Sequence, residues 1–471
     1  MKTQCKPIQM EFQGFGRRKV RVAFDGGHIS SDGGVLLMQE TDRRLGITEG
    51  LAGCFTDYRC EELIEHTVHQ MVRQRIYGMG LGYEDLNDHD DLMRDPLFGV
   101  VVGKRDPQGN DRRRGCDRGK ALASSSTLNR LELTPADAHA GSRYKKIVHD
   151  PEAIEDLLIR LFLDSYDEVP GEIVLDFDTT DDELHGNQEG RFFHGYYRCY
   201  CYLPLYVTCD DRLVVSKLRT ANIDQSAGAT EVLAHVVERI RARWPEVQIV
   251  VRADSGFARE ELMKWCEGNG VFYVLGLAKN SRLLKKIGKE LVAARELYER
   301  TEKAARVFTH FLYRMLRTWS CSRRVIAKAE HLEKGSNPRF IVTNLPEEYA
   351  TPKVLYEDVY CARGDMENRI KEQQLDLFAD RTSASTMRAN QLRLWFSSFT
   401  YVLMSAMRRV ALKGTRLAKA TCGSIRVKLL KIGAQLFISV RRFVVRLASA
   451  CPYQDVFIQA WQNLQHCPLR C

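Results

Sequence analysis

The sequence predicts an α/β protein with a mixed central sheet, interrupted by a β-rich insertion, preceded by a mixed N-terminal region and followed by a basic helical tail. Three observations predict this. Residues 171–275 read strand, strand, strand, helix, strand, helix, strand, the order of an α/β layer. Residues 281–340 break that alternation with strand-like runs. Positive charge collects at the end: from Arg381 onward there are fifteen Lys and Arg and one acid, Asp455, a net of +14 against −5 for the rest of the chain.

The chain's 471 residues predict two to four domains at about 100–200 residues each. A hydrophobic fraction of 44% excludes disordered, collagen-like and mini-protein classes. No apolar run reaches the ~20 residues of a membrane span; the longest attempt, Ile432–Val440, stops at Arg441 and Arg442. Met1–Lys6 has no apolar stretch behind it, so no secretion leader is expected. The 14 cysteines are scattered without a Cys-x-x-Cys, which predicts reduced thiols and a cytoplasmic protein.

Element by element, the first 165 residues open on turn signals, Phe24-Asp25-Gly26-Gly27 and Ser31-Asp32-Gly33-Gly34. Helical spacing of Leu63, Ile64, Val68, Met71, Val72 and Ile76 predicts a helix over Glu61–Tyr77, and Ser126-Thr127-Leu128 opens a shorter one. Strands are predicted at Ile173–Asp178, Tyr202–Val207, Leu213–Leu218, Val247–Val251 and Val271–Leu275. Helices are predicted at Thr230–Arg243 and Arg259–Cys266. Within the insertion, Arg306–Leu312 and Val325–Ala327 look extended; Phe340-Ile341-Val342 resumes the α/β pattern, and a helical stretch runs from about Lys353 to Leu375.

The chemistry-bearing residues are acids at strand ends. Asp178 closes the first strand and Asp254 a later one, where open α/β sheets build their sites. Asp176 and Asp178, two apart, share a strand face, and Asp181 and Asp182 crowd the same corner. Such crowding is unfavourable unless a cation sits among the acids, and hard oxygen ligands suit Mg²⁺ or Mn²⁺. A polar loop after a strand is the plainer reading. Arg363, Glu367 and Lys371 form one helical stripe, either a surface ion-pair ladder or a metal-binding acid flanked by phosphate-binding cations.

The tail's cations, Arg408, Arg409, Lys413 and Arg416 among them, alternate with apolar runs, as on helices with one cationic face. Such a face attracts nucleic acid phosphates; a solvated face or an anionic lipid surface are the alternatives. A smaller basic cluster, Arg112-Arg113-Arg114 with Arg118 and Lys120, is a second contact or a plain loop. His185, His194, Cys199 and Cys201 match no standard zinc spacing, so packing is the better reading. Trp319 reads as a packed ring or as a platform for a flipped base.

Three blocks carry a family resemblance. They are Leu175–Gly186 continuing through Gln188-Glu189-Gly190 and Phe193–Tyr197, then Val251–Phe257, then Tyr360–Lys371. With Phe24–Gly27, Ser30–Gly34, Gly82–Asp85 and Leu122–Ser124, the chain over about residues 20–400 resembles insertion-sequence transposases of the DDE class, specifically the insertion sequence 1380 family. The resemblance implies a ribonuclease H-like core in which Asp178, Asp254 and Glu367 are catalytic and hold two Mg²⁺ or Mn²⁺ ions. Asp178 is preferred over Asp176 because Thr179-Thr180 follows it. The related signature Tyr-x2-Arg-x3-Glu-x6-Lys is matched by Tyr360, Arg363 and Glu367; Gln374 stands where its lysine belongs, leaving Lys371 as the nearest cation.

The implied organisation is an N-terminal end-recognition region over 1–165, a catalytic core over 166–400 with the insertion at about 281–340, and a basic region over 401–471. The implied activity is cleavage at terminal inverted repeats and transfer of the 3′-OH ends into target DNA. The expected partner is DNA, with a homodimer in the synaptic complex and no membrane, in a bacterial cytoplasm at the nucleoid. A catalytically silent DNA-binding derivative and a nuclease without strand transfer are the rival readings.

Overall fold

The run Ile173–Asp178 lies within the strand Glu172–Thr179, and the main sheet is built outward from it. On one side come Leu205–Cys209 and then Arg212–Lys217, both antiparallel hairpin neighbours. On the other side Gln248–Ala253 and Phe272–Leu277 run parallel to it. In chain order these five strands stand 3-2-1-4-5. The computed structural model describes residues 8–15 and 18–469. They divide into two units, one built from residues 150–405 and one from the chain before and after that segment.

In the 150–405 unit the two faces of the sheet are covered differently. Leu175, Phe177, Val251 and Ala253 point into a large core shared with helices Pro151–Asp164, Ala229–Arg243 and Glu260–Gly268. The opposite face starts from Val174 and Val250 and packs beneath Leu355 and Tyr356 of the segment that leads to Glu367. Alternation along two adjacent strands therefore assigns even-numbered residues 174–178 and 250–254 to the face under that segment.

The insertion differs from expectation. It begins with helices Ser281–Lys286 and Gly288–Thr301. Its strands Ala305–Tyr313, Arg323–Leu332 and Arg339–Thr343 then continue the same sheet, with Arg339–Thr343 antiparallel to Phe272–Leu277. With the short Gly335–Ser336 the sheet reaches nine strands. The cause is the run Val325-Ile326-Ala327: Val325 and Ala327 join one core and Ile326 the other. A strand apolar on both faces must be covered on both, and extending the sheet does that.

In the other unit, the predicted helix over Glu61–Tyr77 starts later. Glu61–Leu63 is a single 3₁₀ turn, and the helix is Val68–Leu81. Thr67 caps it reciprocally with Gln70, which fixes the start. The basic tail is not wholly helical either. Ala434–Ile438 and Phe443–Leu447 form a hairpin that pairs with His28–Ser30. Strand alternation buries Ala434 and Leu436 while Phe437 faces out, and the β-branched Val444 and Val445 favour the extended form. The helix Gln454–His466 closes the tail. Among the described residues no helix is long and apolar enough to cross a membrane.

Candidate active site

Two adjacent parallel strands carry the first two acids at or just past their ends. Val174 pairs with Val250, and Asp176 with Arg252. Asp178 and Asp254 each follow two residues further along their strand, on the same face. The Asp176–Arg252 rung is a buried ion pair: Arg252 donates Nε to Asp176 Oδ1 at 2.5 Å and Nη2 to Oδ2 at 2.7 Å. The same guanidinium donates Nη1 to the Val359 carbonyl at 2.5 Å. One arginine thus ties the two acid-bearing strands to the chain that carries Glu367.

Asp178 accepts the Thr179 amide at 2.9 Å through Oδ1. It is only 8% exposed, and burial pushes its carboxyl up to about 6; Arg363 opposes that shift while Asp254 and Glu367 add to it. Asp254 turns the chain, accepting the Gly256 amide at 2.8 Å, and receives Gln225 Nε2 at 3.3 Å. A Cβ at Gly256 would push the Gln225 amide aside, so the glycine leaves room for that side chain to reach Asp254.

Glu367 lies on the helix Gly364–Lys371, anchored by buried Met366 and Ile370. Irregular π-helical segments flank that region at Leu355–Tyr360 and Glu372–Asp376. Arg363 stands between the acids: Nη1 is 3.3 Å from Asp178 Oδ2 and Nη2 is 3.4 Å from Glu367 Oε1. The stripe expected on this helix is present. Arg363, Glu367 and Lys371 line one cavity of about 650 Å³ with Asp178, Asp254, Gln225, Gln374 and the rings of Tyr196 and Tyr197.

Other expected site residues are placed differently. Tyr360 lines an adjoining cleft with Ser255, Lys279 and Arg339 rather than the acid cavity. Its hydroxyl lies 2.6 Å from where a Cβ on Gly276 would be, so the bare strand backbone makes its seat. Gln374 donates to the Asp181 carbonyl and to Asp182 Oδ1, both at 3.1 Å, bracing the turn after the Asp178 strand. Arg408, expected on a cationic face, is 5% exposed and donates to the Ala420 carbonyl. The apolar face of its helix carries it inside. Arg409 is half-buried, Lys413 is exposed, and Arg416 pairs with Asp455 at 3.0 Å. Trp319 is 3% exposed, packed edge-on to Tyr313 and beside Arg323, so it offers no open face to a base.

Sequence reasoning passed over Arg252, Gln225 and the rings at 196–200. Arg252 was findable: it shares Asp254's strand face by its spacing, and it must compensate Asp176 if that acid is buried.

Among the described residues no three His, Cys, Asp or Glu side chains stand close enough together to enclose an ion as placed. The donor chemistry nonetheless fits one. Carboxylates from three separate elements face one cavity, and the charge between two of them is a side chain able to swing away.

Fold and site together define an α/β enzyme with a carboxylate centre at the ends of two parallel strands. The chain belongs to the transposase DDE domain group 1 family, whose model matches residues 12–469. It is accordingly a DNA transposase, a DDE polynucleotidyl transferase, and enzymes of this family use divalent metal ions. A cryo-EM structure of the piggyBac transposase synaptic complex with hairpin DNA is similar, at 13% identity over 85% of this chain and 80% of that one, with a TM-score of 0.39. No curated protein matches the chain.

Proposed function

We propose that Asp178, Asp254 and Glu367 form the catalytic triad of a ribonuclease H-like core. This core would cut DNA at the terminal inverted repeats of an insertion element and join the 3′-OH ends to target DNA. The observation that carries this is the meeting of the three acids, from two strand ends and a helix, at one cavity. The 3-2-1-4-5 strand order supports the core assignment.

The three carboxylates would hold two Mg²⁺ or Mn²⁺ ions, which supply activation of the attacking oxygen and neutralisation of charge on the leaving one. The protein's own part is positioning. Arg252 fixes the spacing of the acid-bearing strands against the helix. Gln225 and the Gly256 amide orient Asp254. Arg363 is suited to clasp a phosphate through two parallel hydrogen bonds once it leaves Asp178, with Lys371 adding a point charge on the same stripe.

The N-terminal region is assigned end recognition, and the exposed tail cation Lys413, with Arg409, contacts to the DNA backbone, while Arg416 is taken up by Asp455. The element is assigned to the insertion sequence 1380 type, acting in the bacterial cytoplasm as a homodimer that holds two ends. Replacing Asp178, Asp254 or Glu367 by Ala is expected to abolish metal-dependent cleavage of a terminal-repeat duplex, with DNA binding retained in a gel-shift assay. Undiminished cleavage by Asp178→Ala, with loss in Asp176→Ala, overturns the choice of first acid.

A further inference from the structure

Between the Asp178 strand and its antiparallel neighbour the chain makes an excursion that the triad does not use. Three short strands, Asp182–Glu183, Phe192–His194 and Cys199–Tyr202, form a separate small sheet. Its base is fixed: Tyr202 donates to the Glu189 carbonyl, and Glu189 accepts the Met387 amide at 2.9 Å. Its tip is a tight turn, with Arg198 in the left-handed region at φ 60°.

The two sides of this hairpin are treated unequally. Cys199 and Tyr197 pack against a small core of Cys201, Leu203 and Ala221. The other side is left bare. Phe193 and Tyr200 form a cross-strand pair with ring centroids 5.5 Å apart, at 56% and 44% exposure, and Tyr196 at the tip is 84% exposed. The Arg191 guanidinium lies 4.3 Å from the centre of the Tyr200 ring. Exposed rings in such density mark a binding surface.

Location and chemistry select the occupant. Of the bare-side rings Tyr196, at the tip, lines the same cavity as Asp178, Asp254 and Glu367, and the Phe193–Tyr200 pair continues from it along the hairpin. In a duplex the faces of the bases are already stacked on one another, so rings beside the acids can be used only by bases whose faces are free. Ring faces accompanied by a guanidinium are how proteins hold unpaired strands, with the rings taking bases and the cation the backbone.

We propose that the hairpin of residues 192–202 is a stacking platform for unpaired DNA nucleotides next to the reacting phosphate, with Phe193, Tyr196 and Tyr200 as the stacking rings and Arg191 beside the strand. This rests on the reading of the acid cavity as the DNA-cutting site and adds to it the strand geometry that the site accepts.

The test uses the full chain in EDTA, so that nothing is cut, and two probes: a blunt duplex and the same duplex with a single-stranded dT tail containing one 2-aminopurine. The unmodified protein is expected to bind the tailed probe more tightly and to quench its 2-aminopurine. Phe193→Ala with Tyr196→Ala should lose the preference for the tail by about tenfold or more. Quenching should disappear with it, while melting temperature is unchanged and blunt-duplex affinity falls far less than affinity for the tailed probe. Tyr196→Phe, which keeps the ring, should retain both signals. Equal weakening on both probes, or an intact tail preference in the double variant, overturns the platform. So does a double variant altered only in oligomeric state, which would give the rings to a second copy of the chain. If the unmodified protein binds neither probe, the reading of the cavity itself fails.

Discussion

Arg363 is the residue on which the site turns. Its guanidinium lies within 3.4 Å of both Asp178 and Glu367, where it neutralises acids that would otherwise repel. It therefore competes with any divalent ion for the same oxygens. Arg363→Ala is expected to bind Mn²⁺ several-fold more tightly in the absence of DNA, measured by calorimetry, while cleavage falls at least about tenfold, or 1.4 kcal/mol. Weaker Mn²⁺ binding in that variant would show that the arginine assists the ions rather than excluding them. Asp176 and Arg252 make a second residue-scale case. Breaking a buried pair by removing one partner costs about 3–5 kcal/mol, whereas replacing both by apolar residues of similar size is close to neutral. Asp176→Asn should thus lower the melting temperature sharply, and Asp176→Leu combined with Arg252→Met should recover most of it. Loss of cleavage in that refolded double variant would separate positioning of the Glu367 segment from stability.

At the scale of elements, the strands around the acids were legible because each alternates or runs apolar over its whole length. Glu172–Thr179, Gln248–Ala253 and Phe272–Leu277 lie within a few residues of their expected bounds. The strand-end acids Asp178 and Asp254 were legible as candidates for the same reason, since strand ends can be counted from strands, whereas Glu367, on a helix, was singled out by the family resemblance. The insertion's partners were not. Nothing local in Val325-Ile326-Ala327 says that its neighbour is Arg339–Thr343, because pairing is a property of the assembled sheet. Gln374 also escaped. Its position suggested a missing phosphate ligand, but its amide serves the Asp181–Asp182 turn. Gln374→Ala leaves those buried acceptors unpaired and is expected to cost about 1–3 kcal/mol in urea unfolding. Gln374→Lys is expected to leave strand transfer no faster, because buried Asp182 would hold the new ammonium.

On the scale of the whole molecule, the segregation of charge is real in sequence, but burial decides which cations count. Arg408 is inside, and Arg416 is matched by Asp455, whereas Lys413, Lys419, Lys428, Arg441 and Arg442 are exposed. Changing Lys413, Lys419, Lys428, Arg441 and Arg442 to Gln should flatten the dependence of DNA affinity on salt, by close to one unit of slope for each phosphate that is no longer neutralised. Arg408→Gln should instead depress the melting temperature with the slope unaltered. An unchanged slope in the multiple variant would assign those five cations to solvent.

The unit made from both ends of the chain has a consequence for biosynthesis. Its hairpin Ala434–Leu447 pairs with His28–Ser30, and Gly33 and Gly34 donate to the carbonyls of Ile432 and Leu430 at 2.8 and 3.0 Å. A Cβ on Gly34 would collide with the Leu429 carbonyl oxygen, so the two segments meet backbone to backbone. A ribosome that has just released residue 34 must add about 400 more residues before that partner exists, some 20–80 s at ordinary elongation rates. Throughout that interval the early segment waits without its strand mate. A messenger cut short, or a ribosome stalled soon after residue 405, would yield a chain with its 150–405 unit complete and an unfinished first unit. Protease digestion of ribosome-bound chains of increasing length should find the segment around His28–Ser30 cleavable until the closing hairpin has emerged, and protected abruptly thereafter.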